Sequence, residues 1–274
     1  MIANKLIYSI LSAGVCISLA GCAQSETETR KEKDSGTKSE QTHASEWSYS
    51  GSTGPEHWGD LDAANAACAN GKEQSPINLE NSKVKADART ENVEIHYKST
   101  AFSLANNGHT IQGNPAAAGN SIILGGKEYK LAQFHFHLPS EHQMNGKNLD
   151  MELHLVHKDS DNQLAVLGLM IKNGDSNQAL NKAWEVLPKE KTTEDVKLSE
   201  PIDLVSLLPK EQTTIQYRGS LTTPPCTEGV KWLVMEQPIQ MSKDQIATFR
   251  ELFPDNHRPV EPLNDREIVE AGAR

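Results

Sequence analysis

The sequence has little of what several common classes of protein require. Its 274 residues carry 27 Lys and Arg against 37 Asp and Glu, a formal net charge of −10. With no basic excess to neutralise phosphates, a nucleic-acid binder is excluded. Cysteine is scarce: four in the whole chain are too few to staple a small disulfide scaffold, and their positions matter more than their number. No apolar run reaches the roughly 20 residues of a membrane-spanning helix, and no internal repeat is visible. Hydrophobic residues at 36% suffice for a globular core, while a mean hydropathy of −0.57 implies a polar segment outside it.

What is there begins with an address. Lys5 precedes Leu6 to Ala20, an apolar run of about fifteen residues, the length of a signal-peptide core. The run ends Leu19-Ala20-Gly21-Cys22, which resembles a bacterial lipobox. Residues 1–21 are then a lipoprotein signal peptide and Cys22 the lipidated N-terminus, with Cys16 in the discarded part. An ordinary cleaved signal and an uncleaved anchor are the alternatives, and all three export the rest of the chain. Residues 22–46 read as a tether rich in Ser, Thr, Glu and Lys, with too little apolar surface to offset a backbone ordering cost of about 1–2 kcal/mol per residue. The expected location is the bacterial cell envelope, held to the cell membrane or the outer membrane by the lipid. Ala23 is not the aspartate that retains lipoproteins at an inner membrane.

Residues 47–274 are long enough for one core. Val93–Tyr97, Leu131–His137, Met151–His157 and Thr214–Tyr217 alternate apolar and polar residues as strands do, and Leu164–Ile171 is a nearly continuous apolar run suited to a strand buried on both faces. Two helices are expected. Asn177–Leu187 puts Leu180, Ala183, Trp184 and Leu187 on one stripe ahead of Pro188. Ser242 and Gln245 form a capping-box pattern before Ile246, Phe249 and Leu252, with Pro254 as the stop. The fold class is therefore mainly β, of the α+β type, in a single domain with short peripheral helices.

The chemistry lies in Gln133-Phe134-His135-Phe136-His137. In a strand, residues two apart share a face, so both histidines point one way and both phenylalanines the other; on a helix the histidines would diverge by roughly 200°. In Glu152-Leu153-His154-Leu155-Val156-His157, His154 shares a face with Glu152 and Val156, and His157 lies on the opposite one. If the two strands pair, His135, His137 and His154 make a three-imidazole set that leaves a tetrahedral zinc one open position, as catalytic sites do. Gln133 and Glu152, each two residues from a ligand, are placed to accept imidazole N–H bonds.

Longer stretches carry a resemblance. Gly54-Pro55-Glu56-His57-Trp58, Gln74-Ser75-Pro76-Ile77, Asn106-Asn107-Gly108-His109, Gln133 to His137, Ser140-Glu141-His142, Glu152 to His157, Ala165-Val166-Leu167-Gly168, Gly219 to Pro225 and Arg258-Pro259 together resemble the α-class carbonic anhydrases. The resemblance implies a central twisted, mostly antiparallel sheet with Zn2+ at the base of a cone, and reversible hydration of CO2 to bicarbonate and a proton through zinc-bound hydroxide. By the same resemblance Thr222 orients the hydroxide and Glu141 orients Thr222, Leu221 to Pro225 otherwise reading as a rigid turn. Val156, Val166, Leu221, Val230 and Trp232 would wall the CO2 pocket, with Thr223 near bicarbonate. Apart from Val156, which strand parity puts beside the metal, these read equally well as core.

His109, which alone would be a turn residue after Asn107-Gly108, stands at the family's proton-shuttle position. Tyr49, Asn107 and Gln112 match the residues that order the shuttle waters, Gln112 replacing a common asparagine. Cys68 and Cys226 resemble the disulfide of secreted relatives, and a short connection between His157 and Leu164 implies a more open rim. Two other readings compete. The His135-x-His137-x3-Glu141 spacing satisfies part of a cupin metal motif, but Tyr129 stands where its leading glycine belongs and no second motif is found. A non-catalytic zinc-binding lipoprotein has no use for a hydroxide orienter or a shuttle. Whether the chain forms a homodimer is not legible.

Overall fold

The computed structural model describes residues 46–86 and 91–272. The signal peptide, Cys22 and the tether before residue 46 lie outside the described residues.

One large sheet organises the domain. Its strands are β1 (Val84–Ala86), β2 (Val93–His96), β3 (Phe102–Asn106), β4 (Ile111–Pro115), β5 (Ser121–Leu124), β6 (Lys127–His137), β7 (Met151–Lys158), β8 (Leu164–Asn173), β9 (Val196–Lys197), β10 (Thr214–Ser220), β11 (Glu228–Met241) and β12 (Ile268–Ala271). They lie in the order β9-β3-β4-β6-β7-β8-β11-β10-β12-β1, with β5 beside β6 and β2 beside β5. Pairing is antiparallel except at β8–β11 and β12–β1. The expected mixed sheet, mostly antiparallel and with few helices, is what the chain forms. The helices are α1 (Trp58–Leu61), α2 (Ala66–Asn70), α3 (Asn181–Trp184) and α4 (Lys243–Leu252).

Two apolar layers sandwich the strands that matter most. Phe134 and Phe136 of β6, with Leu153 and Leu155 of β7, enter a core shared with Trp184 and Phe249. Val156, Val166, Val230 and Trp232 enter a second cluster on the other face. Gly113 of β4 stands opposite Phe134, and a Cβ there would come within 2.1 Å of the Phe134 ring. Only glycine lets that aromatic back the histidine strand so closely.

Every residue of β7 from Met151 to His157 is buried. Its polar face is covered because Glu152 and His154 turn into a hydrogen-bonded site rather than toward water, which satisfies them without solvent. His157, on the other face, is sealed in the core with Nε2 2.8 Å from the Tyr97 hydroxyl.

The α4 helix begins as its sequence requires. The Ser242 Oγ accepts from the Gln245 N–H at 3.2 Å and the Gln245 Oε1 accepts from the Ser242 N–H at 3.0 Å, a reciprocal cap whose serine alone is worth about 1 kcal/mol. The helix expected over Asn177–Leu187 is a correction. A 3-10 turn, Gln178–Leu180, runs into the four-residue α3. The predicted stripe is buried, but Asn177 makes no side-chain cap. Instead its backbone N–H and C=O bond the Gln245 side chain of α4, so a tertiary contact replaces the local start signal.

Candidate metal centre

Strand register brings the histidines together. His154 of β7 is the direct partner of His135 on β6, and Glu152 the partner of His137. One ring nitrogen from each of His135, His137 and His154 falls within 4.8 Å of the others. Hydrogen bonds identify which nitrogen each ring offers. His135 Nδ1 donates to Gln133 Oε1 at 2.9 Å, His137 Nδ1 to the Asn256 carbonyl at 2.7 Å, and His154 Nε2 to Glu152 Oε1 at 2.8 Å. These partners accept only, so the lone pairs sit on His135 Nε2, His137 Nε2 and His154 Nδ1.

The inward groups fit a cation. His137 Nε2 and Glu141 Oε2 are buried without a hydrogen-bond partner, 3.4 Å apart. Burial drives the imidazole pKa values down. His135 falls well below the usual value, helped by His137 and His154, His137 falls to about 4, and His154 is lowered against the pull of Glu152. Three neutral imidazoles with convergent lone pairs are the donor set of a divalent metal such as zinc.

Two buried carboxylates behind the rings behave differently. Burial opposes ionisation of Glu152, but His142 and His154 outweigh it and hold the carboxyl well below its ordinary range. Its oxygens accept four hydrogen bonds, from His142 Nδ1, His154 Nε2 and the backbone N–H groups of Glu141 and His142. For Glu141 burial wins, raising the pKa to about 7 against the lowering influence of His154, the Thr222 hydroxyl and the Arg258 N–H. A cation held by the three imidazoles would favour its ionised form.

Thr222 is buried, in a loop fixed at both ends. Leu221 N–H donates to the Thr227 carbonyl, Cys226 N–H to the Thr223 carbonyl, and Trp232 Nε1 to the Ser220 carbonyl. Cys68 and Cys226 form the disulfide, with Cα atoms 5.1 Å apart. Trp232 lies edge-on to His154 with ring centroids 4.8 Å apart, so the cluster of Val156, Val166, Val230 and Trp232, with Leu221 against it, adjoins the imidazoles. Thr223 is half-buried on the same loop.

His109 is half-buried at the rim, stacked on Trp47 at 3.7 Å, with the Tyr49 ring 6.5 Å away. Burial and the nearby Lys191 lower its pKa, with Glu46 acting the other way. Asn107 Oδ1 accepts from the His109 and Thr110 N–H groups, so this side chain shapes the turn. Gln112 pairs in register with His135 and turns its amide to Asn114 Oδ1 at 2.7 Å.

Several residues with no role foreseen in the sequence complete the site. His142 Nε2 meets the Tyr217 hydroxyl at 2.7 Å, which meets Ser75 Oγ at 2.8 Å. Because His142 Nδ1 donates to Glu152, Nε2 must accept from Tyr217, and Ser75 must then donate to the tyrosine oxygen. Asn256, Arg258 and Trp47 are the others. His142 could have been noticed beside Glu141; Asn256 acts partly through its backbone carbonyl, which leaves no signature in residue type.

An all-imidazole cluster with one face against an apolar wall, on a large mostly antiparallel sheet, is positioned to hold a metal ion. The profile of the eukaryotic-type carbonic anhydrases matches residues 53–272. The chain is 43% identical over 228 residues to a carbonic anhydrase of Nostoc sp., covering 82% of this chain and 86% of the relative. It is 41% identical over 225 residues to a carbonic anhydrase of Neisseria gonorrhoeae, covering 82% and 87%. The solved α-carbonic anhydrase of Thermovibrio ammonificans, in complex with the inhibitor sulfanilamide, superposes with a TM-score of 0.77 at 44% identity, over 82% of this chain and 98% of that one. The chain belongs to the α-carbonic anhydrases, enzymes that hydrate CO2.

Proposed function

We propose that this carbonic anhydrase is a zinc enzyme, that His135 Nε2, His137 Nε2 and His154 Nδ1 hold the ion, and that His109 carries the product proton to solvent. The observation that carries the reading is the convergence of three neutral ring nitrogens, each with its opposite nitrogen anchored by an acceptor. Zinc there would acidify a coordinated water to a pKa of about 7, supplying a nucleophile at neutral pH.

The chain's own residues then divide the work. Thr222 donates its hydroxyl proton toward Glu141 and so presents an oxygen lone pair to the reacting water, aiming it. Val156, Val166, Leu221, Val230 and Trp232 offer CO2 an apolar surface, appropriate to a substrate with no charge, and Thr223 borders bicarbonate. His109, an imidazole at the mouth of the site, accepts the proton, through waters ordered by Tyr49, Asn107 and Gln112.

We also propose that the enzyme is exported and anchored in the cell envelope by a lipid on Cys22. The lipobox-like sequence supports this, as does the Cys68–Cys226 disulfide, which is at home in an oxidising compartment. Incorporation of labelled fatty acid into the wild type but not into Cys22→Ser, with fractionation, tests the anchor.

Stopped-flow CO2 hydration by the purified protein, before and after chelation, with metal content measured in parallel, tests the zinc reading. One zinc per chain and activity that falls and returns with it are expected. Undiminished hydration by the fully chelated protein would sink it.

A further inference from the structure

We infer that the Asn256 side chain is a positioning residue: it fixes the His109 turn against the metal-binding strand and so sets the gap that the product proton crosses. This rests on the shuttle role proposed for His109 and adds a residue to it.

The turn from Asn106 to Thr110 is internally well bonded. Asn106 Oδ1 accepts from the Gly108 N–H, and Asn107 Oδ1 from the His109 and Thr110 N–H groups, each at 2.9 Å. Gly108 has φ 92, a left-handed conformation suited to glycine. These bonds give the turn its shape, yet none of them says where the turn stands relative to the metal centre. That placement needs bonds that leave the turn toward β6.

Two side chains supply them. Thr110 Oγ1 donates to the Phe136 carbonyl at 2.6 Å. Asn256 Nδ2 donates to the His109 carbonyl at 2.9 Å and to the same Phe136 carbonyl at 3.0 Å. One amide group thus bridges the histidine's own backbone to the residue immediately before His137. The amide cannot turn over, because its oxygen accepts from the Leu138 N–H at 2.7 Å. The backbone on either side is also held, since the Asn256 N–H donates to the Leu138 carbonyl and the Asn256 carbonyl accepts from His137 Nδ1.

Asn256 is buried, with 1% of its surface exposed, so water cannot replace these bonds without opening the structure. Of the residue's contacts, only the carbonyl bond to His137 serves a ligand directly, and it belongs to the main chain. A side-chain substitution therefore separates the two duties. It spares the main-chain acceptor for His137 and cuts the tie to His109, together with the side-chain bonds to Phe136 and Leu138, of which Asn256→Asp keeps the one to Leu138.

The His109 imidazole touches neither Asn256 nor β6 through any of these bonds; its ring rests on Trp47 at the rim. Loosening the carbonyl tie leaves the Thr110 bond and the Trp47 stack as the remaining holds and lets the backbone beneath the ring shift relative to the metal-binding strand. Proton relay through ordered water is sensitive to displacements of about 1 Å, so kcat should fall while attack on CO2 proceeds.

The experiment is a double-mutant cycle on the full-length protein with zinc bound. Wild type, Asn256→Ala, His109→Ala and the double variant are assayed for kcat and kcat/KM of CO2 hydration, with and without added imidazole, and for zinc content. Asn256→Ala should lower kcat several-fold, less than the roughly 10²-fold cost of a catalytic group misplaced by about 1 Å because Thr110 still holds the turn, with kcat/KM changed less than about twofold, zinc retained, and kcat restored by imidazole. In the His109→Ala background it should add nothing to the loss, because its effect passes through His109.

Asn256→Asp is the second variant for the case that the alanine form does not fold. It keeps the shape and the acceptor for Leu138, and it sets an oxygen against the two carbonyls. A parallel fall in kcat/KM with loss of zinc, an additive loss in the double variant, or an unchanged kcat would each overturn the inference. If His109→Ala itself shows no buffer-rescued defect, the shuttle reading fails first and takes this one with it.

Discussion

Glu152 Oε1 accepts a hydrogen bond from His154 Nε2 at 2.8 Å and another from His142 Nδ1 at 2.7 Å. One oxygen therefore orients a ring of the candidate metal site and a second imidazole at once. With Nε2 of His154 committed in this way, only Nδ1 faces inward, and the third donor of the centre is fixed by a residue two positions away on the same strand.

Removing that donor should remove the metal. His154→Ala is expected to lose stoichiometric zinc and CO2 hydration together, checked by metal analysis and stopped-flow kinetics on one preparation. His157→Gln, on the far face of the strand, should keep its zinc. Tight stoichiometric zinc in His154→Ala would refute the ligand set.

Thr222→Ala should separate metal binding from rate. The loop around it is held by backbone bonds and by the disulfide, so zinc should remain while kcat/KM falls about 10²-fold, the scale of losing one oriented polar contact in a transition state. An active Thr222→Ala enzyme would remove the orienting assignment.

His109→Ala should lower kcat with kcat/KM nearly unchanged, and imidazole in the buffer should restore kcat because a diffusing base substitutes for the missing ring. Initial rates at saturating and limiting CO2, across a buffer series, distinguish this from a structural defect, in which both constants fall and no buffer helps.

The disulfide closes a sequence separation of 158 residues. A Cys68→Ser, Cys226→Ser double variant should be less stable by up to about 5 kcal/mol on the loop-entropy account, measured by denaturant titration at matched zinc occupancy. Unchanged stability would mean the unfolded chain gains nothing from release of the cross-link.

Burial lowers the pKa of His157 from 6.5 to about 4. Above pH 6.5 the ring is neutral whether folded or unfolded, and its contribution to stability is complete. As pH falls through the window from 6.5 to 4, the unfolded chain binds a proton that the native chain refuses. Stability is then lost, by about 3 kcal/mol for this group at 1.36 kcal/mol per pH unit. Unfolding free energies of wild type and His157→Gln, compared across that window, should diverge by roughly that slope. Parallel curves would show that His157 takes its proton without unfolding.

How far the sequence reached depended on whether the information was local. Strand parity alone put His135 and His137 on one face and His157 on another, because the alternation of a strand is built into its backbone. The capping box of α4 was equally legible. The helix expected at Asn177 was not, since its start is fixed by Gln245, 68 residues away. Separation in sequence also hid Asn256, Tyr217 and Ser75. Each reaches the centre from another element, and a carbonyl or hydroxyl in a chain of bonds has no periodicity to betray it.

Trp47 has a consequence for where this protein can be cut. It is one of the first described residues, adjoining the polar tether, and an alignment to the family profile begins only at residue 53. A shortened form trimmed to that match would look whole, with its sheet and its three imidazoles in place. It would have lost the indole on which His109 rests, along with the Ser48 carbonyl that accepts from Trp58 Nε1. The folded unit therefore starts upstream of its family match, and a cut at residue 53 would remove the packing partner of the proposed proton carrier.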